Sequence, residues 1–151
     1  MIDKVGLTRE AFPYQVAVPG RFADDDMLGH ANNVVYHTYI QEVVVRFLIG
    51  PVAFEWRKSP ILTYAAETLC RFHAPISYPE PIEGRLMIER LGTSSVTYGI
   101  GLFVEGRDVP AASGHFVHVF VDRETEKPVP IPADIRSVFE AYRPPEAGTG
   151  G

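Results

Sequence analysis

A single cysteine, Cys70, stands in this chain of 151 residues. No disulfide can close within the chain, which excludes the cross-linked framework of a small secreted domain. Basic excess is lacking too. The chain has 14 Lys and Arg against 19 Asp and Glu, a formal net charge of -5, the wrong sign for a nucleic-acid footprint. No apolar run approaches the roughly 20 residues of a membrane-spanning helix. The first residues, MIDKVGLTREAF, lack a secretory pattern, and no nucleotide-binding glycine loop occurs. The expectation is a cytoplasmic protein with no nucleic-acid or membrane partner. An anionic small molecule is not excluded, because a few arginines around a pocket can meet it while the whole surface stays acidic.

Hydrophobic side chains make up 46% of the chain and charged ones 22%, enough to bury the core of one domain. The 13 glycines and 13 prolines favour strands and turns over a helical bundle. Strands are expected over residues 15–22, 63–74, 84–91, 94–104 and 112–122. In the last of these Phe116, His118 and Phe120 share one face, and His115, Val117, Val119 and Val121 the other. Between the first two strands Val34, Val35, Tyr36, Tyr39, Ile40, Val43, Val44, Phe47 and Leu48 recur at helical spacing, and Gly50-Pro51 stops the run. Only a narrow polar stripe is left on that helix, so it must be surrounded by protein. A short helix over 132–142 follows the last strand. The pattern is α+β, a long antiparallel sheet wrapped around one central helix, with the domain at 9–142 and a loose tail at 143–151.

Just before the central helix the chain reads GRFADDDMLGHANNVVYHTY. Three roles compete for its polar groups: a metal site, a helix cap with an acidic approach, or a catalytic carboxylate aimed at a helix start. Adjacent aspartates point different ways and no separated ligand cluster accompanies them, so no metal is expected. Asn32 or Asn33 can cap the helix, and Gly29 permits a backbone geometry or close approach that a side chain would block. Cys70 lies in an apolar strand and reads as buried filler rather than as a thiolate.

These residues carry a resemblance. Residues 21–36, RFADDDMLGHANNVVY, resemble the pattern RWxDxDxxGHxNNxxY of hotdog-fold thioesterases in the 4-hydroxybenzoyl-CoA thioesterase-like superfamily, acyl-CoA thioester hydrolase branch, with Phe22 in place of Trp. The likeness continues through ETLC at 67–70, RLGTSSVTY at 90–98 and GHFVHVFVDRETEKPVPIP at 114–132. The resemblance implies a hotdog fold, a homodimer or homotetramer with active sites at subunit interfaces, and cofactor-free hydrolysis of acyl-CoA by a loop aspartate matching Asp26. The oxyanion-binding backbone N–H seven positions on falls at Asn33.

The chemistry of the residues agrees. Thioester hydrolysis puts negative charge on a carbonyl oxygen, and a helix N-terminus offers free N–H groups with a favourable dipole. Asp26 can then attack or activate water. A thiol leaves readily as thiolate, its reference pKa being about 8.5, so no strong general acid is required. His30 is expected to steady the loop by bonding a backbone carbonyl, or to orient water. Asp24 is assigned to loop bonding and Asp25 to solvent. Tyr36, Gly29, Asn32, Ser94, Ser95 and Arg90 are the candidates for substrate contact, and Arg57, Lys58, Arg71, Arg85 and Arg123 join Arg90 as candidates for coenzyme A phosphates. Two alternatives differ in class: a noncatalytic acyl-ligand binding protein on the same fold, and an enzyme that hydrates or dehydrates the acyl chain.

Overall fold

The computed structural model describes residues 3–145. In chain order the elements are β1 (Tyr14–Val18), α1 (Val35–Ile49), β2 (Ile61–Phe72), β3 (Ile82–Leu91), β4 (Ser95–Val104), β5 (Ala112–Asp122) and α2 (Ala133–Ala141). The strands form one sheet in the order β1-β3-β4-β5-β2, and every neighbouring pair is antiparallel. β3, β4 and β5 form a meander, while the two earlier strands close its opposite edges. α1 lies against all five. One long helix wrapped in this way is the hotdog arrangement.

Burial holds α1 in place. Its valines and isoleucines lower intrinsic helix propensity, but Ile40, Val43, Val44 and Phe47 are fully buried, each contributing about 1.5–3 kcal/mol. They meet Leu86 and Ile88 of β3, Tyr98, Ile100 and Leu102 of β4, and Phe116 and Phe120 of β5 in one core. Gly84 lets the helix approach the sheet: a Cβ there would stand 2.3 Å from the Val43 methyl. α2 closes the end of the core, stacking Phe139 on Phe47 with centroids 6.1 Å apart.

The sequence pattern and the structure differ in places. β1 ends at Val18 rather than at 22, because Pro19 has no N–H for the ladder, and residues Phe22–Asp24 turn as a 3-10 helix. The expected strand 63–74 is Ile61–Phe72, 84–91 is Ile82–Leu91, and 94–104 is Ser95–Val104. Residues ahead of Arg9 also pack. Lys4 pairs with Glu89 at 2.9 Å on the sheet face away from α1, both side chains buried, and Leu7 packs against a second small core of Phe12, Met87 and Phe103. A short segment of mixed polarity shows no periodicity, so its packing could not be read from the chain. Of the expected tail, residues 146–151 lie outside the described residues. Among the described residues, no helix is long and apolar enough to cross a membrane.

Candidate active site

The acidic stretch folds into a clamped loop at the N-terminus of α1. Asp26 donates its N–H to the His30 carbonyl at 2.9 Å, and Gly29 donates to the Asp26 carbonyl at 3.0 Å. Gly29 has φ +81° with nothing within 4 Å of a would-be Cβ, so the glycine serves backbone conformation rather than close approach. Segment 76–78 backs the loop. Ala31 N–H donates to the Ile76 carbonyl at 2.7 Å, the Ser77 hydroxyl donates to the Gly29 carbonyl at 2.9 Å, and Tyr78 N–H reaches the Asp25 carboxylate at 3.2 Å. Asp25 is thus half-buried and bonded, where solvent had been expected.

The three aspartates have three environments. Asp24 is 3% exposed and accepts from the Tyr39 hydroxyl at 2.9 Å, the Arg21 N–H at 2.9 Å and the Arg21 guanidinium. Burial alone would raise its pKa; the Tyr39 and Arg21 hydrogen bonds outweigh this and hold it below the ordinary carboxylate range. Asp26 is exposed. One of its oxygens accepts the Leu28 N–H at 2.8 Å.

Backbone donors at the helix start divide unevenly. Ala31 N–H goes to Ile76, Asn32 N–H to the Asp24 carbonyl at 2.9 Å, and Val35 N–H to the Asn32 carbonyl at 2.9 Å. Val34 N–H goes to the Asn32 side-chain oxygen at 3.0 Å, a turn just ahead of the helix; the cap residue of α1 is Val34 and no side chain caps it, where capping by Asn32 or Asn33 had been expected. The Asn33 N–H, in the middle of this run, has no acceptor among the described residues. His30 steadies the loop through its own carbonyl rather than by its ring bonding one.

His30, Asn33 and Tyr36 line a cavity of about 280 Å³ with Phe72 and His73. Tyr36 is also core: it is 3% exposed, accepts Ile76 N–H at 3.2 Å and meets Phe72 edge-on at 5.0 Å. Asp26 is not in that lining. In the chain around Asp26, Phe22, Met27, Leu28 and Val34 are 82%, 98%, 75% and 73% exposed, among the exposed polar residues Arg21, His30, Asn32 and Asn33.

Other expected site residues fall elsewhere. Arg90 and Ser95 line a cavity of about 550 Å³ with Glu67, Glu89 and His115, and the His115 ring bonds Glu67 there. Within one chain this cavity is distinct from the Asn33 cavity. Ser94 works in the hairpin, its carbonyl accepting Phe120 N–H at 2.8 Å. Among the phosphate candidates, Arg85 bonds the Arg9 and Phe12 carbonyls, and Arg123 bonds the carbonyls of Ser59 and Trp56. Arg57 lies over the Trp56 ring at 4.8 Å. Burial pushes the Cys70 thiol up to about 11. Among the described residues no three His, Cys, Asp or Glu side chains form a group able to hold a metal ion.

A larger cavity, about 840 Å³, lies further along α1 between Val45, Leu48, Phe54, Trp56, Phe116 and His118. Composition did not foretell it, although the alternation of β5 places His118 with Phe116 and Phe120 toward the helix. Tyr39, the residue that holds Asp24, was likewise hidden among apolar helix positions.

An antiparallel sheet around one helix, with an acidic loop and an open N–H at the helix start, defines a hotdog domain of the thioesterase type. Residues 21–139 match the thioesterase-like superfamily, and the chain belongs to that family. The PA5185 protein of Pseudomonas aeruginosa strain PAO1 is similar over 91% of this chain and 96% of its own, at 34% identity and TM-score 0.86. A thioesterase from Thermus thermophilus, solved with coenzyme A and zinc, is 28% identical over 88% of this chain and 96% of its own, with TM-score 0.73. The gentisyl-coenzyme A thioesterase BH1999 is 26% identical over 83% of this chain and 98% of its own, with TM-score 0.69.

Proposed function

We propose that this protein hydrolyses acyl-CoA thioesters, with the Asp26 carboxylate acting on water or on the carbonyl carbon and the Asn33 N–H receiving the oxyanion. The observation that carries this reading is the open Asn33 N–H, at a helix N-terminus whose neighbouring donors are occupied and seven positions after Asp26. The site's dipole favours the charge that develops on the oxygen. Water supplies the incoming oxygen, the C–S bond breaks, and coenzyme A leaves as thiolate. The similarity to a thioesterase solved with coenzyme A and to a gentisyl-coenzyme A thioesterase supports the choice of thioester.

The complete site is proposed to need a second copy of the chain. β2 is a 12-residue edge strand, and an edge of that length is a ready template for pairing. The N-terminal half of α1 touches the later part of β2, where His37 Nδ1 is 3.3 Å from Thr68, while the 840 Å³ cavity flanks Thr63 and Ala65 in the earlier part. Antiparallel pairing of two β2 strands about their middle brings the cavity of one copy to the Asn33 end of the other's helix. Within one chain, Asn33 and Gln41, the cavity's nearest residue on the helix, are about 12 Å apart along the axis at 1.5 Å per residue, too far for one short acyl group.

A second reading, a noncatalytic acyl-ligand binding protein, draws on the bond that ties one Asp26 oxygen to Leu28. Thiol release from short, medium, long and aromatic acyl-CoAs separates the two: release supports hydrolysis, and binding without release supports the second reading.

A further inference from the structure

His118 lines the 840 Å³ cavity yet is only 8% exposed. Its Nδ1 is 3.1 Å from the hydroxyl of Tyr98, a side chain with no exposure at all. Among the described residues that hydroxyl has no other acceptor, so it donates to Nδ1. Burial lowers the His118 pKa to about 4, which keeps the ring neutral near pH 7. A neutral imidazole whose Nδ1 accepts carries its proton on Nε2. That Nε2–H has no partner among the described residues. With the Nδ1 edge taken by Tyr98, the Nε2 edge is the one left for the cavity.

Apolar side chains, among them Val45, Leu48, Phe54 and Phe116, make up most of the wall, and Gln41 and Thr63 add polar groups to it. Phe116 meets the imidazole edge-on at 4.8 Å, and the charged lining residues, Glu55 and Arg57, are exposed. Core packing alone does not call for a donor here, where a phenylalanine would fill the same space; the His118 Nε2 is not among the sealed unpaired atoms and is reached from the cavity.

We propose that this cavity receives an acyl group bearing a neutral oxygen, a hydroxyl or keto group set away from the thioester carbonyl, and that the His118 Nε2–H donates to that oxygen. The inference rests on the acyl-thioester reading above and makes His118 a specificity residue, with Tyr98 fixing its tautomer. A carboxylate is disfavoured, because the donor is neutral and no buried cation lines the cavity.

The test uses non-hydrolysable coenzyme A thioethers in matched pairs, benzyl against the hydroxybenzyl isomers and hexyl against the hydroxyhexyl isomers. The chain has one tryptophan, and Trp56 lines this cavity, so its fluorescence reports occupancy. At least one hydroxylated thioether is expected to bind about tenfold more tightly than its parent, the size of one neutral hydrogen bond. His118→Phe alone would strand the buried Tyr98 hydroxyl. The double variant Tyr98→Phe with His118→Phe removes both partners, and it should abolish the preference while circular dichroism shows an intact fold. Equal binding throughout, no fluorescence response, or a preference that survives in the double variant overturns the proposal. Hydrolysis of the matching thioesters is followed separately. A His118-dependent preference without hydrolysis would contradict the thioesterase reading and leave the pocket assignment standing.

Discussion

The Tyr39 hydroxyl of α1 donates to the buried Asp24 carboxylate at 2.9 Å, tying the central helix to the loop that carries Asp26. Asp24 stays ionised in a buried place because Tyr39 and Arg21 together supply donors. Tyr39→Phe removes the donor from the helix side and is expected to cost about 1–3 kcal/mol. At about 2–4 °C per kcal/mol for a chain of this size, thermal melting should register it. Turnover should fall as the loop loosens. An unchanged melting temperature would show that Arg21 alone holds Asp24.

Gly29 separates conformation from crowding. At φ +81° with open space around it, Gly29→Val meets no clash but is strained in a region that β-branched residues avoid, at roughly 1–3 kcal/mol. Gly29→Asn should be tolerated better, since asparagine visits the left-handed region. Chemical denaturation of both variants checks the order, and equal losses would point to contacts rather than to backbone conformation.

Acid should weaken the fold through His118. Its folded pKa, about 4, lies below the ordinary 6.5, so between those values the unfolded chain binds the extra proton and stability falls as pH falls. The full drop is roughly 3 kcal/mol at 1.36 kcal/mol per unit. Above pH 6.5 this group contributes no pH dependence. Burial, aided by Arg71, also lowers the pKa of His73, with the same sign, and Asp24 adds its loss in a lower window, as pH falls through its depressed pKa. Urea titrations from pH 7 to pH 4 should give a shallower slope for the Tyr98→Phe, His118→Phe double variant than for the wild type. Matching slopes would remove His118 from the account.

Cys70 should be a sluggish nucleophile. With burial raising its thiol to about 11, the thiolate fraction near pH 8 is small, and alkylation by iodoacetamide should run well behind that of an unperturbed cysteine. Rates equal to free cysteine would mean that β2 opens readily.

The parts of this molecule legible in the sequence are those with a period. The apolar rhythm from Val34 to Leu48 announced α1, and the alternation around His115 to Val121 announced β5 and its two faces. The loop that carries Asp26, Gly29 and Asn33 stood out because it concentrates unusual residue types ahead of a helix. What stayed hidden depends on contacts between distant positions. Tyr39 and Asp24 are 15 residues apart, Ser77 and Gly29 are 48 apart, and Tyr98 and His118 are 20 apart; no local pattern pairs them. Arg90 and Ser95 share a conspicuous stretch of sequence with no hint that their cavity lies away from Asn33. Lys4 and Phe12 pack without any period to show it.

The central claim is that Asp26 performs thioester hydrolysis beside the Asn33 N–H. The most direct measurement is thiol release from an acyl-CoA panel by the wild type and by Asp26→Asn, with melting temperature and sedimentation recorded for both. The account predicts release by the wild type, a loss of at least about a hundredfold in the variant, and an unchanged fold and assembly. A variant that keeps wild-type kcat on a substrate the wild type hydrolyses would contradict it.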